Sequence, residues 1–229
     1  MKKEVKVMSL GGSLIVPEKI DLKFLKSFCG ALKKNTRKYK FIIVCGGGTV
    51  ARKYISALRE AGANNRAQGF AGISATRMNA RFMSYLFGMD PERGIPHTMR
   101  EVKKYLKRQD VVFCGALKYG EHETSDTVAV EIAERYKADF INLTDVPGLY
   151  DKNPKEHRDA KRIDIVSWKK LYEMANKIEF KPGQHFVIDQ TASKMILDKK
   201  ITSYIIGKDM KQLDNLLKGK KFIGTTISG

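Results

Sequence analysis

Three consecutive glycines, Gly46, Gly47 and Gly48, stand between an apolar run, Phe41-Ile-Ile-Val-Cys45, and a stretch in which Val50, Tyr54 and Leu58 recur at helical spacing. Residues without a Cβ at a strand end let the backbone come close to a ligand, and a helix starting there offers free N–H groups and the positive end of its dipole. Arg52 adds a guanidinium in the first turn. These are the ingredients of an anion site, most simply a phosphate site. The same residues would also serve a tight βα turn with no ligand. A second cluster, Gly11-Gly12-Ser13, ends the strand pattern of Val5, Val7 and Leu10, and a third strand pattern, Val111 to Cys114, runs out at Gly115.

Three kinds of nucleotide site compete for these glycines. A P-loop needs G-x-x-x-x-G-K-[ST]. Gly115 to Gly120 has the spacing, but Glu121 and His122 follow where Lys and Ser or Thr are required. A dinucleotide fingerprint fits Gly46-x-Gly48-x-x-Ala51, yet it requires an acidic residue for the ribose about twenty residues on. Asn64 to Gly72 contains no carboxylate. A kinase that spreads its phosphate contacts over several glycine-rich strand ends accounts for both clusters at once.

The elements that would position these residues alternate. After the first strand, Asp21 is placed to cap a helix with Leu25, Phe28, Cys29 and Leu32 on its buried stripe. The 41–45 strand and its helix follow, with Gly62 as the stop. Ala63 to Gln68 reads as a polar loop and Ile73 to Phe87 as a helix. Gly88 to Pro96 is a turn-rich connector before a helix over Met99 to Lys107 and the strand at Val111 to Cys114. Thr124-Ser125-Asp126 supplies polar caps for a helix with Val128, Ala129, Ile132 and Tyr136 on one face; on spacing alone Asp126 is a helix cap. Phe140 to Leu143 is a strand leading to Pro147-Gly148, which predicts a type II turn. Ser167 caps a helix around Leu171 and Met174, Lys181-Pro-Gly183 breaks the pattern, and Asp189 to Lys199 is helical. Tyr204 to Ile206, Met210 to Leu217 and Phe222 to Ile227 follow as strand, helix and closing strand. Repeated β-then-α order predicts an α/β fold with an open, largely parallel sheet covered on both faces, and such sheets bind ligands at the carboxyl ends of their strands.

Composition narrows the function. The 229 residues suit one large domain or two closely packed lobes. No run approaches the length of a membrane span and no secretory segment precedes the first strand, so a soluble, cytoplasmic protein is expected. Cys29, Cys45 and Cys114 lie apart in apolar runs and the four histidines are scattered, so neither a disulfide nor a protein-held zinc site is expected. The formal charge of +18, from 43 Lys plus Arg against 25 Asp plus Glu, suits anionic ligands. The basic residues are dispersed in groups such as Lys103, Lys104, Lys107 and Arg108, so contact with nucleic acid is expected only as a nonspecific side effect.

Beyond single motifs, the order GGS, GGGTVARKYI, GISATRMNA, TSDTVAVEIAE, NLTDVPGLYDKNP, AKRI, VIDQTASKMI and GTTI resembles the archaeal-type uridylate kinases of the amino acid kinase superfamily, nearly end to end. The resemblance implies a three-layer αβα sandwich forming one domain over 1–229. Its N-terminal lobe (about 1–138) would take the acceptor and its C-terminal lobe (about 139–229) ATP. It also implies a homohexamer with no membrane association. The implied reaction moves the γ-phosphoryl group of ATP, with Mg²⁺, to UMP to give UDP in pyrimidine nucleotide biosynthesis. Carried over by position, Gly11, Gly12, Ser13, Gly47, Arg52, Thr144, Tyr150 and Asn153 would serve ATP. Gly46, Gly69, Gly115, Thr124, Ser125 and Asp126 would serve UMP, and Arg52, Asp126 and Lys194 the transfer itself. A monoester phosphate is already largely anionic at neutral pH, with a second pKa of about 6, so this chemistry needs aligned donors and cations and no strong base.

The chain departs from the family pattern at several of these places. Gly69 stands where an Asp for the acceptor is expected, Asn153 replaces an Asp on the ATP side, Thr49 replaces a common Lys, and the loop from Gly115 is about two residues longer. Asn65, Arg66 and Gln68 are the polar residues near Gly69. Two alternatives follow. One is a kinase for another phosphorylated acceptor, such as isopentenyl phosphate kinase, for which a histidine in the glycine-rich region would be expected. The other is a catalytically weakened nucleotide- or RNA-binding relative.

Overall fold

In the computed structural model, residues 3–120, 124–177 and 187–229 are described. β1 (Glu4–Leu10), β2 (Tyr39–Cys45) and β3 (Val111–Cys114) form one half of a seven-stranded sheet. β4 (Phe140–Leu143), β7 (Ile165–Val166), β8 (Ser203–Ile206) and β9 (Thr225–Ile227) form the other. The strand order is β3-β2-β1-β4-β8-β9-β7, parallel throughout except where β9 runs antiparallel to β8. β5 (Leu149–Tyr150) and β6 (Arg162–Ile163) form a separate two-stranded antiparallel sheet, tied to β9 through the Thr225 hydroxyl.

The sheet is apolar on both faces, as a parallel sheet between helices must be. Met8, Leu10, Phe41 and Ile43 point to a layer containing α2 (Leu22–Asn35), α4 (Asn65–Phe87) and α9 (Met210–Leu217). Val7, Ile42, Val44 and Val112 point the other way, to α5 (Met99–Arg108), α6 (Ser125–Tyr136), α7 (Trp168–Lys177) and α8 (Gln190–Lys199). The result is the expected αβα sandwich. The three cysteines are buried thiols. Among the described residues no helix is long and apolar enough to cross a membrane.

The chain leaves β1 toward β2 on one side, and β4 leads to β8 on the other, so the topological switch falls between β1 and β4. Their carboxyl ends are tied together. The Gly11 N–H donates to the Leu143 carbonyl at 3.1 Å, Gly46 to Leu10 at 2.9 Å and Thr144 to Ile206 at 3.0 Å. The crevice that such a switch opens is where doubly wound sheets bind ligands, and the glycine clusters sit on its rim.

Several expectations are corrected. α4 begins at Asn65, not Ile73, because the Asn64 side chain caps it by accepting from the Ala67 N–H at 2.9 Å. Gly69 is therefore on a helix, not in a polar loop. The closing strand is only β9, and it reverses direction; Phe222 packs its ring against Tyr204 instead of pairing. At Pro147-Gly148 the glycine has the positive φ expected of it (139°), but its own N–H bonds to the Val146 carbonyl, and the Leu149 N–H goes to Thr225 Oγ1. The turn is thus closed across three residues and held by Thr225 at the start of β9. The short strands β5, β6 and β7 have too few residues to show a periodicity. The Lys181-Pro-Gly183 break lies outside the described residues. The Asp21, Thr124 and Ser167 caps are in place.

Candidate active site

Three loops meet at the carboxyl ends of β1, β2 and β3. A short helix, α1 (Gly12–Ile15), follows β1, and α3 (Gly48–Glu60) follows β2. Their starts are pressed together: a Cβ on Gly12 would lie 2.0 Å from the Gly48 nitrogen, and one on Gly46 would lie 2.6 Å from the Gly12 nitrogen. No side chain fits at either place. Gly48 also has φ +62°, a conformation that only glycine takes readily. The glycines therefore bring two strand ends into direct backbone contact, with the Ser125 hydroxyl 3.4 Å from a Cβ position at Gly46.

α4 fixes this corner from one side. The buried Asn79 amide donates to the Gly46 carbonyl at 2.7 Å. Thr76 donates to Ile73 and accepts from the Ala116 N–H at 2.9 Å, and Arg77 Nε donates to the Ala116 carbonyl. The loop that leaves β3 is thereby held onto the same helix as Gly46. Gly115 itself packs so closely that a Cβ would meet Thr76 Oγ1 at 2.6 Å.

α6 supplies the carboxylate. Ser9 shares the strand face of Val7 by the two-residue period of β1, which turns its fully buried hydroxyl toward α6. It donates to Asp126 Oδ1 at 2.6 Å. Thr124 caps α6, accepting from the N–H groups of Asp126 and Thr127, and donates to Asp189, which caps α8 by accepting from Ala192. Burial pushes Asp126 up to about 7; the negative charge of Asp189 adds to the rise and the Ser9 hydroxyl opposes it. A carboxyl group raised by burial thus lies in the first turn of α6, bonded to Ser9 near the carboxyl end of β1. Ser9 and Asp189 were not singled out from sequence. The available signals were a lone hydroxyl inside an apolar strand and an acid at the start of a helix pattern.

Apart from the buried Gly12, the residues expected on the donor side are exposed or half-buried. Arg52 is exposed in the second turn of α3 and donates to Thr49 Oγ1 at 3.0 Å. Thr144 follows β4 and contacts Asp145, which pairs with Lys155. Asn153 donates to Glu156 at 2.7 Å, and Tyr150 is half-buried on β5. Lys194 lies on the solvent side of α8, bound to Asp198 at 2.6 Å and over the Tyr172 ring. The structure brings together Gly11, Gly12, Gly46, Gly47, Ser125 and Asp126, with Gly115 beside Thr76; Lys194 is paired outside that cluster.

The amino acid kinase family model matches residues 4–207. A uridylate kinase of Thermoplasma volcanium is 37% identical over 224 residues, spanning 96% of each protein. One of Thermococcus kodakarensis is 35% identical over 219 residues, spanning 93% of this chain and 95% of the relative. The crystal structure of uridylate kinase from Archaeoglobus fulgidus superposes with a TM-score of 0.83 at 32% identity, covering 99% of this chain and all of that one. A sheet switch lined with glycine backbone and a match over most of the sequence agree: the chain belongs to the amino acid kinase family, with uridylate kinases as its relatives.

Proposed function

We propose that this protein is a UMP kinase that transfers the γ-phosphoryl group of ATP to the phosphate of UMP. The observation that carries the reading is the corner at Gly12, Gly46 and Gly48, where the backbones of two strand ends, with the Gly12 and Gly48 nitrogens among the closest atoms, are pressed together beside Ser125 at the start of α6. Two anions must meet there, and preorganised N–H groups are the right tool because they need no reorganisation as charge moves. The uridylate kinase relatives, alike over nearly the whole chain, support UMP as the acceptor.

In this reading Gly46, Gly69, Gly115, Thr124 and Ser125 receive UMP. Gly11, Gly12, Ser13, Gly47, Thr144, Tyr150 and Asn153 receive ATP. Arg52 exchanges its contact with Thr49 for a phosphate oxygen, and Lys194 exchanges Asp198 for the triphosphate. Asp126 orients the amino terminus of α6 through Ser9 and Asp189. The acceptor needs no base, because its phosphate is already anionic.

Mg²⁺ would arrive with ATP and take most of its ligands from phosphate and water. Asp126 fits such an ion, being a hard oxygen donor whose burial beside a second carboxylate favours a nearby cation. When bound, the ion neutralises charge on the transferring group. We further propose one domain over 1–229, with the acceptor lobe at about 1–138 and the ATP lobe at about 139–229. The proposed setting is a cytoplasmic homohexamer serving pyrimidine nucleotide biosynthesis, and light scattering of the purified protein checks the assembly.

The deciding experiment is incubation with MgATP and each nucleoside monophosphate in turn. UDP is expected as the preferred product. A flat response across acceptors rejects UMP specificity, and nucleotide binding without any product rejects the enzyme.

A further inference from the structure

One group on the acceptor side is not used by the transfer itself. Gly69 lies on α4 seven residues before Thr76, two helical turns or about 10 Å away on the same face. The loop that leaves β3 is bonded to Thr76 at Ala116 and then runs back along α4, so that Tyr119 arrives over Gly69. A Cβ at Gly69 would lie 2.3 Å from Tyr119 Cε2. Any side chain at this position would have to push the ring aside. The ring is stacked on Phe70, with centroids 5.4 Å apart and planes 14° from parallel, and the Arg66 guanidinium lies 5.9 Å from the Phe70 centroid. Phe70 remains 46% exposed.

An exposed aromatic stack with a cation beside it suits a planar π system. Its distance along α4 from the corner at Gly46, Thr76 and Gly115, about 10 Å, is on the scale of a whole nucleoside monophosphate. We propose that Tyr119, held against Phe70 by the absence of a side chain at Gly69, is the residue that recognises the acceptor's nucleobase by stacking. This rests on the kinase reading for the place of the phosphate. It gives Gly69 a positive role: the ring replaces a polar contact, and the acceptor is chosen by its π face.

Calorimetry with UMP and with ribose 5-phosphate, which has the phosphate but no base, tests the proposal on the intact chain. Base–aromatic stacking is lost in Tyr119→Ala, so UMP binding is expected to weaken about tenfold to a hundredfold. Binding of ribose 5-phosphate and the KM for ATP stay unchanged. Tyr119→Phe retains the affinity, and Gly69→Ala, whose methyl displaces the ring, weakens UMP binding like Tyr119→Ala. Equal loss for both ligands makes Tyr119 merely a structural prop and overturns the proposal, as does unchanged UMP binding. If the wild type binds UMP with the expected pattern but makes no UDP, the kinase reading falls and the stacking role stands. If it binds no UMP, both fall.

Discussion

Around Gly12, Gly46 and Gly48 two stretches of backbone lie so close that a methyl group has no place, whereas Thr144, Asp145 and Asn153 lie nearer the surface, where their side chains bind one another or a neighbour. The first region is fixed by covalent geometry and buried hydrogen bonds, the second by surface pairs that exchange readily with water. The difference teaches where rigidity is needed. In the proposed reaction two phosphates must be held in line to within a fraction of an ångström for transfer, while the base and ribose of a donor need only be held. Substitutions should therefore act through geometry in the first region and through affinity in the second.

The largest effect should come from Gly12→Ala. Its methyl group would meet the Gly48 nitrogen at 2.0 Å, and backbone cannot turn away as a side chain can. A loss of about 3 kcal/mol or more of stability is expected, since the strain exceeds ordinary overpacking. UMP-kinase activity should disappear even in the fraction that folds. Thermal melts together with turnover check both; a well-folded, active Gly12→Ala protein would mean that the corner is slack and the contrast between the regions false.

Asp126→Asn comes next and should separate charge from shape. Asparagine keeps an oxygen for Ser9 but cannot ionise. Activity is expected to fall about a hundredfold or more, in line with the loss of a preorganised electrostatic group. Stability should move the other way. Between pH 3.8 and about 7 the folded chain holds a proton on Asp126 that the unfolded chain has lost. Its contribution therefore falls as pH rises through that window and is at its lowest above about 7. The full gap corresponds to about 4 kcal/mol. The variant's gain over wild type should be absent near pH 4, grow toward pH 7 and then level, which denaturant titrations at several pH values would measure. A gain that shrinks with rising pH would contradict the buried, charge-crowded setting of Asp126.

Asp189→Ala should sit between the two regions in size. It removes the α8 cap, worth about 1 kcal/mol, and it also removes the charge that helps to raise Asp126. The acidic limb of the pH–rate profile should move to lower pH. An unmoved limb would leave Asp189 with capping alone.

These regions also differed in how far the sequence revealed them. The glycine clusters, their strands and the helices behind them follow from apolar runs and caps, because local periodicity and backbone freedom are properties of adjacent residues. The αβα layers follow from their alternation. What adjacency does not carry is contact between distant segments: Ser9 meets Asp126 across 117 positions and Thr124 meets Asp189 across 65. The start of α4 was missed for a different reason. Gly69 and Gly72 lower helix propensity, and the Asn64 cap with the packing of the following turns overrides it. Gly69 looked like a gap in an acceptor site, and it became intelligible only with the Tyr119 ring above it.

The smallest effect should come from the exposed region. In Asn153→Ala the chain loses the contact with Glu156 and the turn bond to the Lys155 N–H, both at the surface. Surface changes of this kind shift stability by about 0.5 kcal/mol or less. The KM for ATP should rise severalfold, with the KM for UMP and the turnover number unchanged, because a contact made equally in ground and transition states affects binding alone. Lys194→Ala should raise the KM for ATP in the same way without moving the melting temperature, because its pair with Asp198 is exposed on both sides. If either variant instead lowered turnover with KM intact, the donor region would be aligning the transferring phosphate, and the contrast between a rigid corner and a yielding surface would have to be drawn elsewhere in the cleft.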